Sequence, residues 1–178
     1  VYAAHTQADG LLGWKNNSDA VVVSSPTFTT DRGFTTNGAT DYLNSNFVPT
    51  TDGVNFIQDS ACLGVYINDA GADTGGSTTY ACGMADTGNV RVSRIVPKDA
   101  GGDIRGILNS GSTTTFTSVT PNTRAGFTTI NRSGASALEG YRNGSSVGTG
   151  TTASTGVCSQ PTWIGIHNVG GSPNGTGA

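Results

Sequence analysis

The dipeptide Asn143-Gly144 divides two short alternating runs in "GASALEGYRNGSSVGTG", residues 134–150. A two-residue type I′ turn needs positive φ at both central positions, which Gly adopts freely and Asn at small cost. Residues 138–142 and 145–148 are therefore expected as antiparallel strands joined by that turn. Beyond the turn the run offers Ser, Gly and Thr and no evident catalytic group. The hairpin reads as architectural.

The same punctuation recurs along the chain. Apolar runs such as "VVV", "CLGVYI", "VRVSRIV" and "TWIGI" are short and bounded by turn residues. The chain holds 27 Gly, one Glu (Glu139) and two Lys (Lys15, Lys98), and about a quarter of it is Ser or Thr. Strong helix formers are scarce and turn formers abundant, so an all-β domain follows. Strands are expected over 20–23, 32–36, 41–47, 60–67, 79–84, 90–96, 103–109, 114–118, 124–132, 136–142, 145–148 and 162–167. This spacing favours a two-sheet sandwich or jelly roll. In "ACLGVYI" the residues Ala61, Leu63, Val65 and Ile67 share a core face. In "YLNSNF", Tyr42, Asn44 and Asn46 share one face and Leu43, Ser45 and Phe47 the other. Residues 1–19 differ in character and read as a short helical or irregular packing segment, leaving 20–178 for the sandwich. At 178 residues the chain suits one well-buried domain.

Net charge is −3 and the basic residues are scattered, with no basic stripe interleaved with aromatics. Nucleic acid is therefore not an expected partner. No apolar run is long enough to insert in a membrane as a helix. Cys62 and Cys82 lie in runs that flank "NDAGADTGGS". A hairpin about residue 72 would set them opposite each other, close enough for a strained disulfide. Two buried thiols are the favoured alternative. Cys158 is left over either way, and no zinc spacing occurs.

The stretches "SSPTFTTDRGFTTNGATDYLNSNFVPT", "INRSGASALEGYRNGSSVG" and "PTWIGIHNVGG" together resemble the laminin-G-like, concanavalin-type domains of tailed-bacteriophage and prophage virion structural proteins. The shared order is a Gly-Phe strand, a Tyr-Leu strand, an F-x-P step, a Y-x-N-G hairpin and an Ile-Gly strand before a closing strand. The resemblance implies a two-sheet jelly roll in a virion assembled in the bacterial host cytoplasm, as a fibre, receptor-facing or capsid-surface component. It implies other virion proteins and further copies of the chain as partners, and no cofactor. It also implies a closing strand after "PTWIGIHN". Residues 162–167 are thus expected to pair on one side only within residues 30–160, and 169–178 to be an extended, poorly packed loop.

Catalytic readings compete poorly with structural ones. Concanavalin-type folds include glucanases, whose mechanism needs two carboxylates facing one cleft. Glu139 has no acidic residue two or four positions away, and Asp99 and Asp103 flank a Gly-rich loop. No G-x-S-x-G elbow exists, and the bases on offer are His5, near the terminus, and His167, where a structural role is the stronger reading. The Asn68–Asp73 loop gathers Asn68, Asp69 and Asp73, oxygen donors of the kind calcium takes, but these are also ordinary turn residues. Trp14 and Trp163 would stack on sugar rings if exposed. Two isoleucines, Ile164 and Ile166, stand opposite Trp163 and claim the core face. The expectation is a non-enzymatic virion protein. The alternative is a module binding host-surface glycans through Asn- and Thr-rich loops, and glycoside hydrolysis is a remote third.

Overall fold

The turn forms as its composition requires. Asn143 has φ 50° and Gly144 φ 82°, and the flanking strands run over Ala137–Arg142 and Ser145–Gly150. The computed structural model describes residues 4–13, 18–68, 79–116 and 123–177. Their elements are α1 (Gln7–Leu11), β1 (Val21–Val23), β2 (Thr27–Thr29), β3 (Gly33–Thr35), β4 (Tyr42–Asn44), α2 (Pro49–Asp52), β5 (Ala61–Ile67), β6 (Thr79–Tyr80), β7 (Cys82–Ala85), β8 (Val92–Val96), β9 (Ile104–Ser110), β10 (Thr114–Phe116), β11 (Gly126–Gly134), β12 (Ala137–Arg142), β13 (Ser145–Gly150), β14 (Trp163–Ile164), β15 (His167–Val169), β16 (Ser172–Asn174) and β17 (Thr176–Gly177).

The fold is all-β, built on two principal sheets, with β2–β3 and β6–β17 as separate two-stranded pairs. The larger has the order β1-β4-β14-β7-β8-β9-β10, with β15 parallel to β7 and β16 beside β15. The smaller has the order β13-β12-β11-β5, antiparallel throughout. Their facing sides supply one core: Cys82, Ile95, Ile104, Leu108 and Phe116 from the larger sheet meet Ala61, Ile130 and Leu138 from the smaller. As expected, Leu63 and Val65 pack against it. Contact between the sheets is close enough that a Cβ on Gly106 would overlap the Ile130 side chain.

Two arginines enter this interior at inward positions. Arg132 is 1% exposed. Its Nε donates to Leu108 O (2.8 Å), Nη1 to Gly134 O and Ala135 O (3.1 and 2.9 Å), and Nη2 to Thr152 O (3.1 Å). One side chain so ties the smaller sheet to β9 and to the segment after β13. Arg142, also buried, donates to Thr128 Oγ1 and Thr123 O. Backbone carbonyls stand where a carboxylate would be expected, and they satisfy the guanidinium without a second buried charge.

In the N-terminal segment, α1 is held by a reciprocal cap: Thr6 Oγ1 accepts from Asp9 N, and Asp9 Oδ2 accepts from Thr6 N, both at 3.2 Å. None of its residues is buried. A helix this short depends on what it touches, and a Cβ on Gly10 would lie 3.1 Å from the Phe34 ring of the β2–β3 hairpin. That hairpin's first strand and α2 were not expected from the sequence.

Several expectations fail. The disulfide geometry does not arise, because β5 pairs with β11 while β7 lies between β14 and β8 in the other sheet. All three cysteines are free; Cys82 and Cys158 are buried, but Cys62 is exposed. The run 162–167 is not an open edge, since β14 pairs with β4 on one side and β7 on the other. Its correspondence to the family's C-terminal strands fails with that pairing. Gly165, at φ 88°, breaks the run. Ile164 is therefore 38% exposed and Ile166 buried, so the two do not share a face. Residues 170–175 are exposed, as expected of a poorly packed segment, but the segment is not a loop: β15 and β16 form a hairpin, and β17 pairs with β6. In "YLNSNF" the alternation stops early. Tyr42 and Leu43 are both buried, and Asn46 turns out of the strand at φ 56°.

Candidate functional site

Alternation leaves every second residue of the smaller sheet facing away from the core. On β5 these are Cys62, Gly64 and Tyr66, and on β11 Phe127, Thr129 and Asn131. On β12 they are Glu139 and Tyr141. Register aligns them in rows: Tyr66 beside Phe127; Gly64, Thr129, Tyr141 and Ser146; then Cys62, Asn131, Glu139 and Thr149. Tyr66 is 53% and Phe127 46% exposed. Tyr141 lies diagonal to Phe127, about 7–8 Å away for such positions.

Local geometry holds these rings in place. A Cβ on Gly64 would lie 2.9 Å from Phe127 Cζ, so the phenyl ring rests over the bare backbone of Gly64. The backbone of Phe127 is fixed by the hairpin tip: its N–H donates to Asn143 Oδ1 (2.8 Å) and its carbonyl accepts from Asn143 N (2.8 Å). The turn read as architectural therefore also positions an aromatic ring.

The polar half of the face is ordered too. Ser146 Oγ donates to Glu139 Oε1 at 2.6 Å. Hydrogen bonds from Ser146, and then from the Tyr141 hydroxyl, hold the Glu139 carboxyl below its ordinary range. A general acid needs the opposite shift. The residues beside Glu139 in its row, Asn131 and Thr149, are not carboxylates. The face thus offers aromatic rings, hydroxyls, an amide and one ionised acceptor. The phosphate-neutralising cations that nucleic acid requires are missing from these rows.

The other sequence candidates lie elsewhere. Asp99 is committed to its turn, with Oδ1 accepting from Gly101 N and Asp103 N (2.8 and 2.9 Å) and Oδ2 meeting Arg105 Nε. His5 is exposed, 3.7 Å from Asp31. His167 is fully buried with its ring centroid 5.0 Å from that of Tyr80. Its Nδ1 lies 3.4 Å from Arg94 Nη1. A guanidinium only donates, so Nδ1 must accept and the proton sits on Nε2. Burial first, and Arg94 second, push its pKa down to about 4; the Met84 backbone opposes the shift but makes no well-formed bond to Nε2. That is a neutral structural histidine. Trp163 is 5% exposed and stacks on Tyr42 (centroids 4.1 Å apart), closed to a sugar. Trp14 lies outside the described residues. So do Asp69 and Asp73 of the Asn68–Asp73 loop. Among the described residues, no three metal-ligating side chains gather.

Sequence reasoning weighed the tryptophans and missed Tyr66, Phe127 and Tyr141. The signal was present, since the alternation that makes Ala61, Leu63, Val65 and Ile67 a core face sends Tyr66 outward. Comparison with protein-family models, curated proteins and solved structures gives no match.

Proposed function

We propose that the chain is a non-enzymatic jelly-roll module of a bacteriophage virion, and that its working surface is the outward face of the four-stranded sheet. That face recognises a neutral host-surface glycan. The observation that carries the reading is the set Tyr66, Phe127 and Tyr141, ordered on rigid strands beside Thr129, Asn131, Glu139 and Ser146. Exposed apolar area rimmed by polar groups marks an interaction site. Aromatic rings beside fixed donors and acceptors suit a sugar, which has apolar C–H faces and hydroxyl edges. The virion setting rests on the sequence resemblance alone.

The face is open rather than concave, so affinity should be modest, on the order of 0.1–1 mM for a single site. Avidity from further copies of the chain would raise it. A glycan array followed by titration tests the reading. Binding that weakens about tenfold or more in Tyr66→Ala and in Tyr141→Ala, with folding intact, supports it. A folded sample that binds no glycan at millimolar concentration defeats the glycan reading and leaves assembly contacts as the role of this face. Peptide mapping of purified particles tests the setting independently: a protein expressed during infection but missing from the particle rules out a virion component.

A further inference from the structure

The outer face of the larger sheet carries a different chemistry. On β8 and β9, Arg94, Val96, Arg105 and Ile107 point away from the core shared with the smaller sheet, and the register pairs Arg94 with Ile107 and Val96 with Arg105. The two guanidiniums are therefore diagonal neighbours, an arrangement in which like charges repel unless something compensates them. The carboxylate at hand is Asp99, which meets Arg105 through Nε and is otherwise engaged by its own turn. Counting Arg94, Arg105 and the Asp99 carboxylate that pairs with Arg105, two cations meet one anion and one positive charge is left over.

Arg94 carries that excess. It is half-buried, with its guanidinium carbon 4.9 Å from the centre of the Tyr80 ring and Nη1 against His167 Nδ1. A ring face and a neutral imidazole orient a guanidinium without neutralising it. Among the described residues, no carboxylate pairs with Arg94. Burial disfavours its charged form, with only the Tyr80 hydroxyl opposing the shift. Beside it is a hollow of about 70 Å³, lined by Tyr80, Arg94, Val96, Arg105, Ile107 and Thr113, with Gly106 completing the wall. A water needs roughly 10–15 Å³ on this measure, so the hollow takes a small polar group and a few waters. It is far below the several hundred Å³ that enclose a whole small-molecule ligand.

We propose that this hollow binds a single carboxylate group, projecting from a ligand whose remaining part lies outside on the sheet surface. Arg94 supplies the planar fork that matches a carboxylate with two parallel hydrogen bonds. Arg105 contributes the second positive charge, and Thr113 lines the hollow with a hydroxyl. Val96 and Ile107, 2% and 3% exposed, form an apolar floor that keeps the contact partly desolvated. One carboxylate cancels the excess charge, and a dianion is not required. Two sources share this chemistry, an acidic sugar and the free C-terminus of a peptide. The site lies on the opposite sheet from the proposed glycan face and does not rest on it.

The test is a titration of the folded chain at constant ionic strength, read by NMR at the Arg94 side chain and the Tyr80 ring. The probes are acetate, glucuronate and triglycine, with sulfate, glucose and triglycine amide as comparators. Saturable shifts with the carboxylates, absent with glucose and the amide, are expected. Glucuronate or triglycine binding more tightly than acetate identifies the source. Arg94→Gln should weaken binding about tenfold or more, the value of a lost charge-assisted pair. Arg94→Lys, which keeps the charge but loses the fork, should weaken it less. Thr113→Val, at an exposed turn position, should weaken it a few-fold with folding unchanged. Absence of a saturable response to any carboxylate at 50 mM, about the weakest useful affinity for so small a ligand, overturns the proposal. So does a response that persists in both Arg94 variants, or one in which sulfate outcompetes every carboxylate.

Discussion

The outer faces of the two sheets obey the same alternation and end with opposite characters. On the four-stranded sheet, outward positions carry rings, hydroxyls and one carboxylate, and two of the rings are about half exposed. On the nine-stranded sheet, the ring of His167 lies over Gly83 beside Arg94, and the Tyr80 ring of the neighbouring β6 packs against both side chains. What stays open there is a small hollow with excess positive charge. Parity decides which residues face outward, but coverage decides which of them a ligand can reach. The first face is a broad aromatic surface with one carboxylate, and the second a single positively charged point.

Both faces depend on a common frame, and removing it should have the largest effect. Arg132→Met removes a donor from the carbonyls of Leu108, Gly134, Ala135 and Thr152, of which Ala135 O keeps the Ser154 N–H, at about 1–3 kcal/mol for each one left unpaired and out of reach of water. A loss of about 3–5 kcal/mol is expected in denaturant titrations. Weakened binding on both faces together would accompany it. A variant as stable as the parent would mean that the sheets are held by apolar packing alone.

A pH titration of stability separates the faces next. His167 is buried neutral, with its pKa pushed from 6.5 to about 4. Its contribution is fully present above pH 6.5, because both states are then neutral. It falls away as pH drops toward 4, where the unfolded chain takes up a proton that the folded chain resists. About 3 kcal/mol lies in that window. His167→Gln should flatten the curve between those limits. An unchanged slope in that variant would assign the pH dependence to other groups.

Substitutions on the smaller sheet should reverse this balance of effects. Phe127→Ala removes a ring that covers Gly64 but is 46% exposed, so stability should fall by only about 1 kcal/mol. Glycan binding should fall at least tenfold, about 1.4 kcal/mol, in the same sample. Equal losses in both would make the ring structural. The gentlest probe is a thiol reagent. Cys62, exposed although partial burial also raises its thiol, should react first, whereas Cys82, with its thiol pushed up to about 12 by burial, and Cys158 should react only through opening of the fold. A bulky adduct on Cys62 should block the glycan face and leave the Arg94 hollow responsive.

Much of the architecture was legible because it is local. The 134–150 hairpin follows from one dipeptide, and the core face of β5 follows from alternation. The failures arise where chain neighbours are not sheet neighbours. Cys62 and Cys82 invited a pairing across a short loop, yet β5 finds its partner in β11, far along the chain. Ile164 and Ile166 looked like one face because strand parity assumes an unbroken strand, and Gly165 breaks it. The buried arginines were unreadable for another reason. A charged residue at an inward position argues for exposure until the carbonyls that receive it are known. The aromatic face was legible in part, since Tyr66 is outward by parity alone. Its meeting with Phe127 and Tyr141 depends on register between distant strands.

The Asn143-Gly144 turn carries a further consequence, a chemical clock. Asn before Gly is the sequence in which the following backbone nitrogen most easily attacks the side-chain amide carbon, expelling ammonia and closing a succinimide that water opens to Asp or isoaspartate. In this fold the Asn143 amide oxygen accepts the Phe127 N–H, which holds the side chain toward β11. Ageing to Asp preserves that acceptor and adds a negative charge at the hairpin tip. Ageing to isoaspartate inserts an extra backbone atom into a two-residue turn, and the Phe127 anchor is lost with the turn geometry. A stored sample should therefore lose the aromatic face before the sandwich unfolds, at a rate set by how firmly one hydrogen bond restrains one amide.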